Sequence, residues 1–425
     1  MPLNLQKIRG LILFLWALAS AAQAQNHGTL FYFLKHTKQN SSNLKSMEAQ
    51  SAAQSFLKPR AAAAYYPSVA VEGSRAHDLP LTERDSSRAT DSLLISLGVS
   101  QALYDEKLPR TYERDSLIGK KARAQQDDVT ERVLHETGLA FFSLARFQAE
   151  AALKQQQLNL QMEEETVIQR RISLGELNLT NASQIQAQIE RSRANLALLK
   201  NKMSEQKMIL ARLCLCAVPE TLQLPSESVW QKIMDAQTSV SAPLINVSKT
   251  DIEVAQADLR LIQSKAAPTV RLEGLVYRDF MNDNKSVRSS LALNLIWPID
   301  MARTNQYETS QASSLLQSAR LSLQAQQTEL QSNQQIARER LRVLLDSRQF
   351  FAAALHSARN HFKHTKRQFA EGANTQSELF LAQGDLFQAE NDLLGHTFES
   401  WTAYWNLVFY RDSLTKMIQE TGEGG

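Results

Sequence analysis

Residues 299–371 contain neither glycine nor proline, and this stretch limits the possible fold more than any other feature. Its composition is mostly Gln, Ala, Leu, Ser, Arg and Glu, many of them good helix formers. Apolar side chains recur at spacings of three and four: Ala312, Leu315, Leu316, Ala319 and Leu323, then Leu341, Leu344, Leu345, Phe351 and Leu355. That is the narrow stripe of a helix packed lengthwise on another, close to a coiled-coil seam. About 65 residues at 1.5 Å each make a rod of about 100 Å, which no compact domain accommodates. Residues 176–218 also lack Gly and Pro, and 110–174 carry only Gly119 and Gly138. A helix tolerates such glycines at about 1 kcal/mol each. A lengthwise bundle or tube of helices is expected.

Between these stretches the period changes from 3.6 to 2. Residues 67–73 and 93–100 form one candidate hairpin, and 268–277 with 290–296 a second. In the first, Leu93, Ile95, Leu97 and Val99 alternate with Leu94, Ser96, Gly98 and Ser100; in the second, Val270, Leu272 and Val276 alternate with Arg271, Glu273 and Tyr277. Each strand is therefore apolar on one side and wet on the other. The connections 75–91 and 278–289 are polar and are expected to be loops. The two halves correspond in order: Pro67 with Pro268, Leu97 with Leu293, Gly175 with Gly372. The chain thus reads as two copies of one unit, namely helix, hairpin, very long helix, tight turn, helix.

Lys7 and Arg9 precede a short apolar run at 11–19, and Ala22-Gln23-Ala24 follows, the pattern of a cleaved signal peptide. No later segment is apolar enough for a membrane helix, so a membrane could be crossed only as a closed β-barrel. Four strands are too few for that, since small barrels have about eight. Other subunits must complete them, with eight strands in a dimer or 12 in a trimer; soluble hairpins capping a helical rod are the alternative. The chain has 47 basic and 44 acidic residues, and losing Lys7 and Arg9 leaves 45 against 44. Such a balance gives no electrostatic reason to expect nucleic acid as a partner.

The order of these parts resembles the TolC family of bacterial outer-membrane efflux proteins over nearly the whole chain after residue 24. The residues that carry the resemblance are Ala61-Ala-Ala-Ala-Tyr-Tyr-Pro67-Ser-Val, Leu97-Gly-Val-Ser-Gln-Ala-Leu-Tyr104, Ala267-Pro268-Thr-Val, Leu291-Ala-Leu-Asn-Leu-Ile-Trp-Pro298-Ile and the stretch 372–394. The resemblance implies a mainly α fold with a small β part. In it, a long antiparallel α-helical barrel joins four strands per subunit, which complete a 12-stranded transmembrane barrel in a homotrimer. It also implies an outer-membrane location reaching into the periplasm, contact with outer-membrane lipid, and a periplasmic adaptor and inner-membrane pump as partners. Residues 1–24 are then the signal peptide, 25–219 the first repeat, 220–244 a linker, 245–415 the second repeat and 416–425 a flexible tail.

By the same resemblance, Leu174-Gly175-Glu176 and the turn at Gly372-Ala373 form the periplasmic tip where adaptors dock. The family's inward aspartates past the second tip match Glu378 and Leu381, so only the first position is acidic here. Glu378 becomes the candidate pore gate, with Asn374 and Thr375 as polar contacts holding it shut. Three such carboxylates would attract cations and raise one another's pKa.

Other constellations point to less. His361 and His364 share a helix face near His356, without a carboxylate helper, and read as surface histidines. Phe398, Trp401, Tyr404, Trp405, Phe409 and Tyr410 fall at helical spacing and read as packing. Cys214 and Cys216, one residue apart at a helix end, are expected to be buried thiols, since a bridge there would be strained. No cofactor, metal site or catalytic constellation is expected. The leading function is a passive exit duct for efflux or type I secretion. The alternative is a periplasmic coiled-coil adaptor or structural protein, although adaptors have one helical hairpin between β-rich halves and this chain has two.

Overall fold

The computed structural model describes residues 28–78, 90–176, 178–235, 242–280, 287–411, 414–416 and 418. The expected signal peptide, the centres of both polar loops and most of the expected tail lie outside them. Three helices, α1 (Leu30–Asn40), α2 (Ser42–Ser55) and α3 (Leu57–Ala63), precede strands β1 (Ser68–Asp78) and β2 (Thr90–Asp105). Then come α4 (Lys107–Ser173), α5 (Leu179–Cys214), α6 (Ser228–Asp235) and α7 (Ala242–Ser264). Strands β3 (Thr269–Asp279) and β4 (Val287–Ile296) lead to α8 (Thr304–Ala370) and α9 (Gln376–Arg411). Among the described residues, no helix is long and apolar enough to cross a membrane.

The duplication is built into the elements. Helices α4 and α8 have 67 residues each, and α5 and α9 have 36 each. Lys107 recurs as Thr304 and Leu179 as Gln376, the same offset that separates Gly175 from Gly372. Local chemistry starts the long helices where they start. Asp105 accepts the Lys107 N–H at 3.0 Å, and Pro109 sits in the first turn, where its missing N–H costs nothing. In the second copy Asp300 accepts the N–H groups of Thr304 and Asn305 at 2.9 and 2.6 Å.

The four strands form one antiparallel sheet in the order β1-β2-β3-β4, with both outer strands unpaired on one side among the described residues. Its register places Val69, Val99, Gly274 and Leu291 in one row, and Val71, Leu97 and Val276 in the next. Leu272 with Leu293 and Val270 with Leu295 extend the same face. The opposite face carries rows such as Glu72, Ser96, Tyr277 and Arg288. A bulge between Ala102 and Tyr104 turns Tyr104 onto the apolar face beside Val270. The strands run further than the sequence pattern implies: Arg75, Arg278, Val287, Arg288 and Ser289, in the expected loops, lie in the ladder. Backbone pairing continues there because the ladder joins N–H and C=O groups whatever side chain each position carries.

The chain forms two compact units. One, Ser46–Asp127 with Ile245–Gln327, contains the sheet. In it α4 and α7 run antiparallel, joined by Arg260–Glu113, Arg114–Asp258, Lys120–Glu253 and Lys121–Asp251 ion pairs of 2.6–2.9 Å. These are partly exposed, so each contributes less than about 1 kcal/mol and mainly fixes register. The other unit, Met1–Lys45, Asp128–Leu244 and Thr328–Gly425, holds a core cluster rich in buried aromatic rings. There Trp401 stacks on Phe142 with ring centroids 5.5 Å apart and meets Trp230 edge-on at 4.8 Å. Trp405 is fully buried and donates its indole N–H to the His135 carbonyl at 2.8 Å. The aromatic run of α9 is therefore packing, with Phe33 and Phe141 completing the cluster.

Cys214 and Cys216 correct the sequence reading, since they form a disulfide. Helix α5 stops at Cys214, and Leu215 takes a left-handed conformation with φ 48°. That turn brings the two Cα atoms to 5.2 Å, inside the usual range for a bridge. The expectation of strain assumed continued helical geometry.

Candidate functional site

The two turns that reverse the long helices arise from glycine's access to positive φ. Gly175 has φ +78° and Gly372 φ +77°. In the first turn Gly175 donates to the Ile172 carbonyl and Glu176 to that of Arg171, both at 2.9 Å; in the second, Gly372 donates to Phe369 at 3.1 Å and Ala373 to Gln368 at 2.8 Å. Each is the double-bonded reversal that closes a helix on a left-handed residue. Leu174, Glu176, Gly372 and Ala373 are all exposed.

What joins the two hairpins is a set of neighbours that the sequence did not single out. Arg171 donates to the Phe369 carbonyl at 2.9 Å and lies 4.5 Å over the Phe369 ring. Its Nε also donates to Glu176 at 2.8 Å. Asn181 and Gln376 hydrogen-bond through their side-chain amides, and Gln376 donates as well to the Asn181 carbonyl at 3.2 Å.

Glu378 sits three residues inside α9, and its carboxylate accepts the Thr375 N–H at 2.7 Å and the Thr375 hydroxyl at 3.0 Å. The Thr375 hydroxyl in turn accepts the Glu378 N–H at 3.3 Å. This reciprocal pair is a capping box, legible in Thr375-Gln-Ser-Glu378 as the spacing that satisfies orphan donors of a helix start. The Thr375 N–H and hydroxyl hold the exposed Glu378 carboxyl below its ordinary pKa. Asn374 donates to the Gln368 side chain at 3.0 Å, tying the turn to α8. Glu378 and Leu381 share the exposed side of α9, while Leu379 and Ala382 are buried.

Further along the same seam, Gln157, Gln161 and Glu164 of α4 are buried at core-facing spacing. Gln157 donates to Glu390 at 3.1 Å, and Gln383 donates to the Glu164 carboxyl at 2.7 Å. The other Glu164 oxygen has no hydrogen-bond partner. Burial pushes the Glu164 carboxyl up to about 7, against the opposing pull of Lys366 and the Gln383 bond. Glu164 lines a cavity of about 330 Å³ with Val167, Ile168, Lys366, Phe369 and Leu379.

His356, His361 and His364 are exposed, with His356 bonded to Asn360 at 3.1 Å. Among the described residues, no group of three or more His, Cys, Asp and Glu side chains could hold a metal.

Scans of protein-family models and of curated proteins find no match to this chain. Solved structures do match. VceC, an outer membrane protein of Vibrio cholerae, aligns with a TM-score of 0.76 at 14% identity, covering 89% of this chain and 95% of that one. CmeC, an outer membrane channel of Campylobacter jejuni, aligns at 0.77 and 13% identity over 92% and 88%. The open state of the MtrE outer membrane channel of Neisseria gonorrhoeae aligns at 0.73 and 15% identity over 90% and 88%. The chain therefore has the TolC-like fold, matched over nearly its full length.

Proposed function

We propose that this chain is one subunit of a trimeric outer-membrane exit duct for efflux or type I secretion. The observation that carries this reading is the sheet. It has one apolar face, one polar face and, among the described residues, two unpaired edges. In lipid such edges must be closed by further strands, and three copies supply 12. The apolar face exposes Val69, Val71, Leu291, Leu293 and Leu295, with Tyr104 and Trp297 at its helix-side end. That arrangement suits a lipid-facing band with an aromatic girdle. The strands of 10 to 16 residues are long enough to span. The Cys214–Cys216 bridge fits an oxidising compartment such as the periplasm.

In this reading the polar face lines the lumen, and the helical hairpins carry the path through the periplasm. The turns at Leu174-Gly175-Glu176 and Gly372-Ala373 dock a periplasmic adaptor, which links the duct to an inner-membrane pump. Glu378, with Asn374 and Thr375 beside it, narrows the closed tip. Selectivity is left to the pump. Membrane fractionation tests the reading. Detergent-dependent extraction from the outer membrane as a heat-labile trimer is expected, and recovery in the soluble periplasmic fraction would sink it.

A further inference from the structure

The sheet register puts two arginines where a lipid-facing surface does not ordinarily carry charge. On β3 the apolar-face positions are Val270, Leu272, Gly274 and Val276, and the next is Arg278, in a row with Gly73, Ile95 and Val287. One row further from the helices, Arg75 of β1 pairs with Leu93, and the N–H of Phe280 bonds to the Leu93 carbonyl at 2.9 Å. Arg75 and Arg278 thus share the apolar face at the end remote from the helices. Neither guanidinium forms an ion pair with a carboxylate among the residues whose side chains are described. The Arg278 guanidinium lies 4.9 Å from the Phe280 ring centre, and its Nε is shielded without a hydrogen-bond partner. Among the described residues, a third arginine at this end, Arg288, pairs with Tyr277 on the polar face.

Depth decides what these cations meet. Val270 and Arg278 are eight residues apart on β3. That is about 27 Å along the strand and, at a tilt of about 40°, about 20 Å of height. Such a rise nearly crosses the hydrocarbon band of an outer-membrane barrel and brings Arg278 to its outer boundary. A long cationic side chain on an aromatic ring at that level keeps its stem in the apolar layer and its head among the headgroups. The guanidinium fork matches phosphate oxygens in two-point fashion.

We propose that Arg75 and Arg278 form, on the outward face of the barrel at its loop end, a docking surface for the phosphate groups of membrane lipid headgroups. It rests on the barrel reading above and adds the partner of that face. In a trimer the two arginines recur three times around the rim.

The test uses the purified full-length trimer in detergent. Thermal protection is measured with added phosphorylated lipid A, with its dephosphorylated form, and with inorganic phosphate. Protection of the wild-type trimer by the phosphorylated lipid alone is expected. In R75Q/R278Q the lipid concentration giving half protection should rise at least about tenfold, the loss of one charge-assisted contact. R288Q, which removes the same charge from the polar face, should match wild type. Equal protection by inorganic phosphate, unchanged behaviour of R75Q/R278Q, or an equal loss in R288Q would each overturn the lipid surface while leaving the barrel standing. A chain that forms no heat-labile trimer and stays out of the membrane would remove both.

Discussion

Gly138 and Gly119 both interrupt α4, yet alanine at each should act in opposite directions. A Cβ on Gly138 would lie 2.1 Å from Trp405 Cε2, 2.2 Å from Nε1 and 2.4 Å from Cζ2. Ordinary carbon contacts need about 3.5 Å, so the indole would have to move by more than 1 Å. Trp405 is fully buried and its N–H is committed to the His135 carbonyl. Overpacking of this kind costs about 1–3 kcal/mol, and a buried N–H torn from its acceptor about 1–3 kcal/mol. Against that, Gly→Ala in a helix returns about 1 kcal/mol. The net expectation for Gly138→Ala is a loss of about 1–5 kcal/mol. At Gly119 the nearest atoms, Gln54 O and Ser55 Cα, are 3.7 Å away, so Gly119→Ala should gain up to about 1 kcal/mol. Thermal and denaturant unfolding followed by helical circular dichroism reads both. Trp405→Leu supplies the control, because Gly138→Ala added to it should cost little if the indole is the obstacle. A Gly138→Ala protein as stable as wild type, or a full penalty that persists beside Leu at 405, would refute the argument.

Glu164→Gln should remove a pH dependence of stability. The folded carboxyl binds its proton up to about 7, against an ordinary 4.5, so wild-type stability should fall as pH rises between those values and then level off. The full effect is at most about 3 kcal/mol, and a wild-type profile that is flat across that window, or a variant that keeps the slope, would contradict it. In the proposed trimer, Glu378→Ala should leave assembly intact and raise single-channel conductance, and unchanged conductance together with unchanged cation block would dispose of the ring. Gly175→Ala and Gly372→Ala each force a side chain into left-handed backbone at about 1–2 kcal/mol, so both should lower the melting point while a Gly→Asn change at the same sites lowers it less. Maleimide should leave Cys214 and Cys216 unlabelled until a reductant is added, and labelling without reductant would show that the bridge does not form in the cell.

Much of this fold was legible because helix length announces itself through the absence of Gly and Pro, and strand faces through strict alternation. The strand ends were not, since Arg75 and Arg278 stop the apolar pattern without stopping the backbone ladder. The disulfide escaped for a related reason: Leu215 is a good helix former, and nothing local declares its left-handed turn. Gly138 read as a tolerated interruption because its partner, Trp405, is 267 positions away in the chain. Glu164 was within reach, as Gln157, Gln161 and Glu164 occupy seam spacing where apolar residues belong.

The candidate gate shows how local and assembled chemistry compete at one residue. Family resemblance directs attention to a ring of three Glu378 carboxylates, whose mutual repulsion would favour protonation. The capping box works the other way, because Thr375 donates two hydrogen bonds to the ionised form and draws its pKa down. A lowered folded value means the cap strengthens α9 above about 4.5 and weakens only as pH falls below it. Three carboxylates each kept ionised by their own helix cannot relieve repulsion by taking up protons near neutral pH. A closed ring would then need cations to balance it, so its conductance should respond to added cations and stay nearly flat between pH 6 and 8. Conductance that rises or falls steeply in that interval in wild type, and not in Glu378→Gln, would show that ring repulsion overrides the cap.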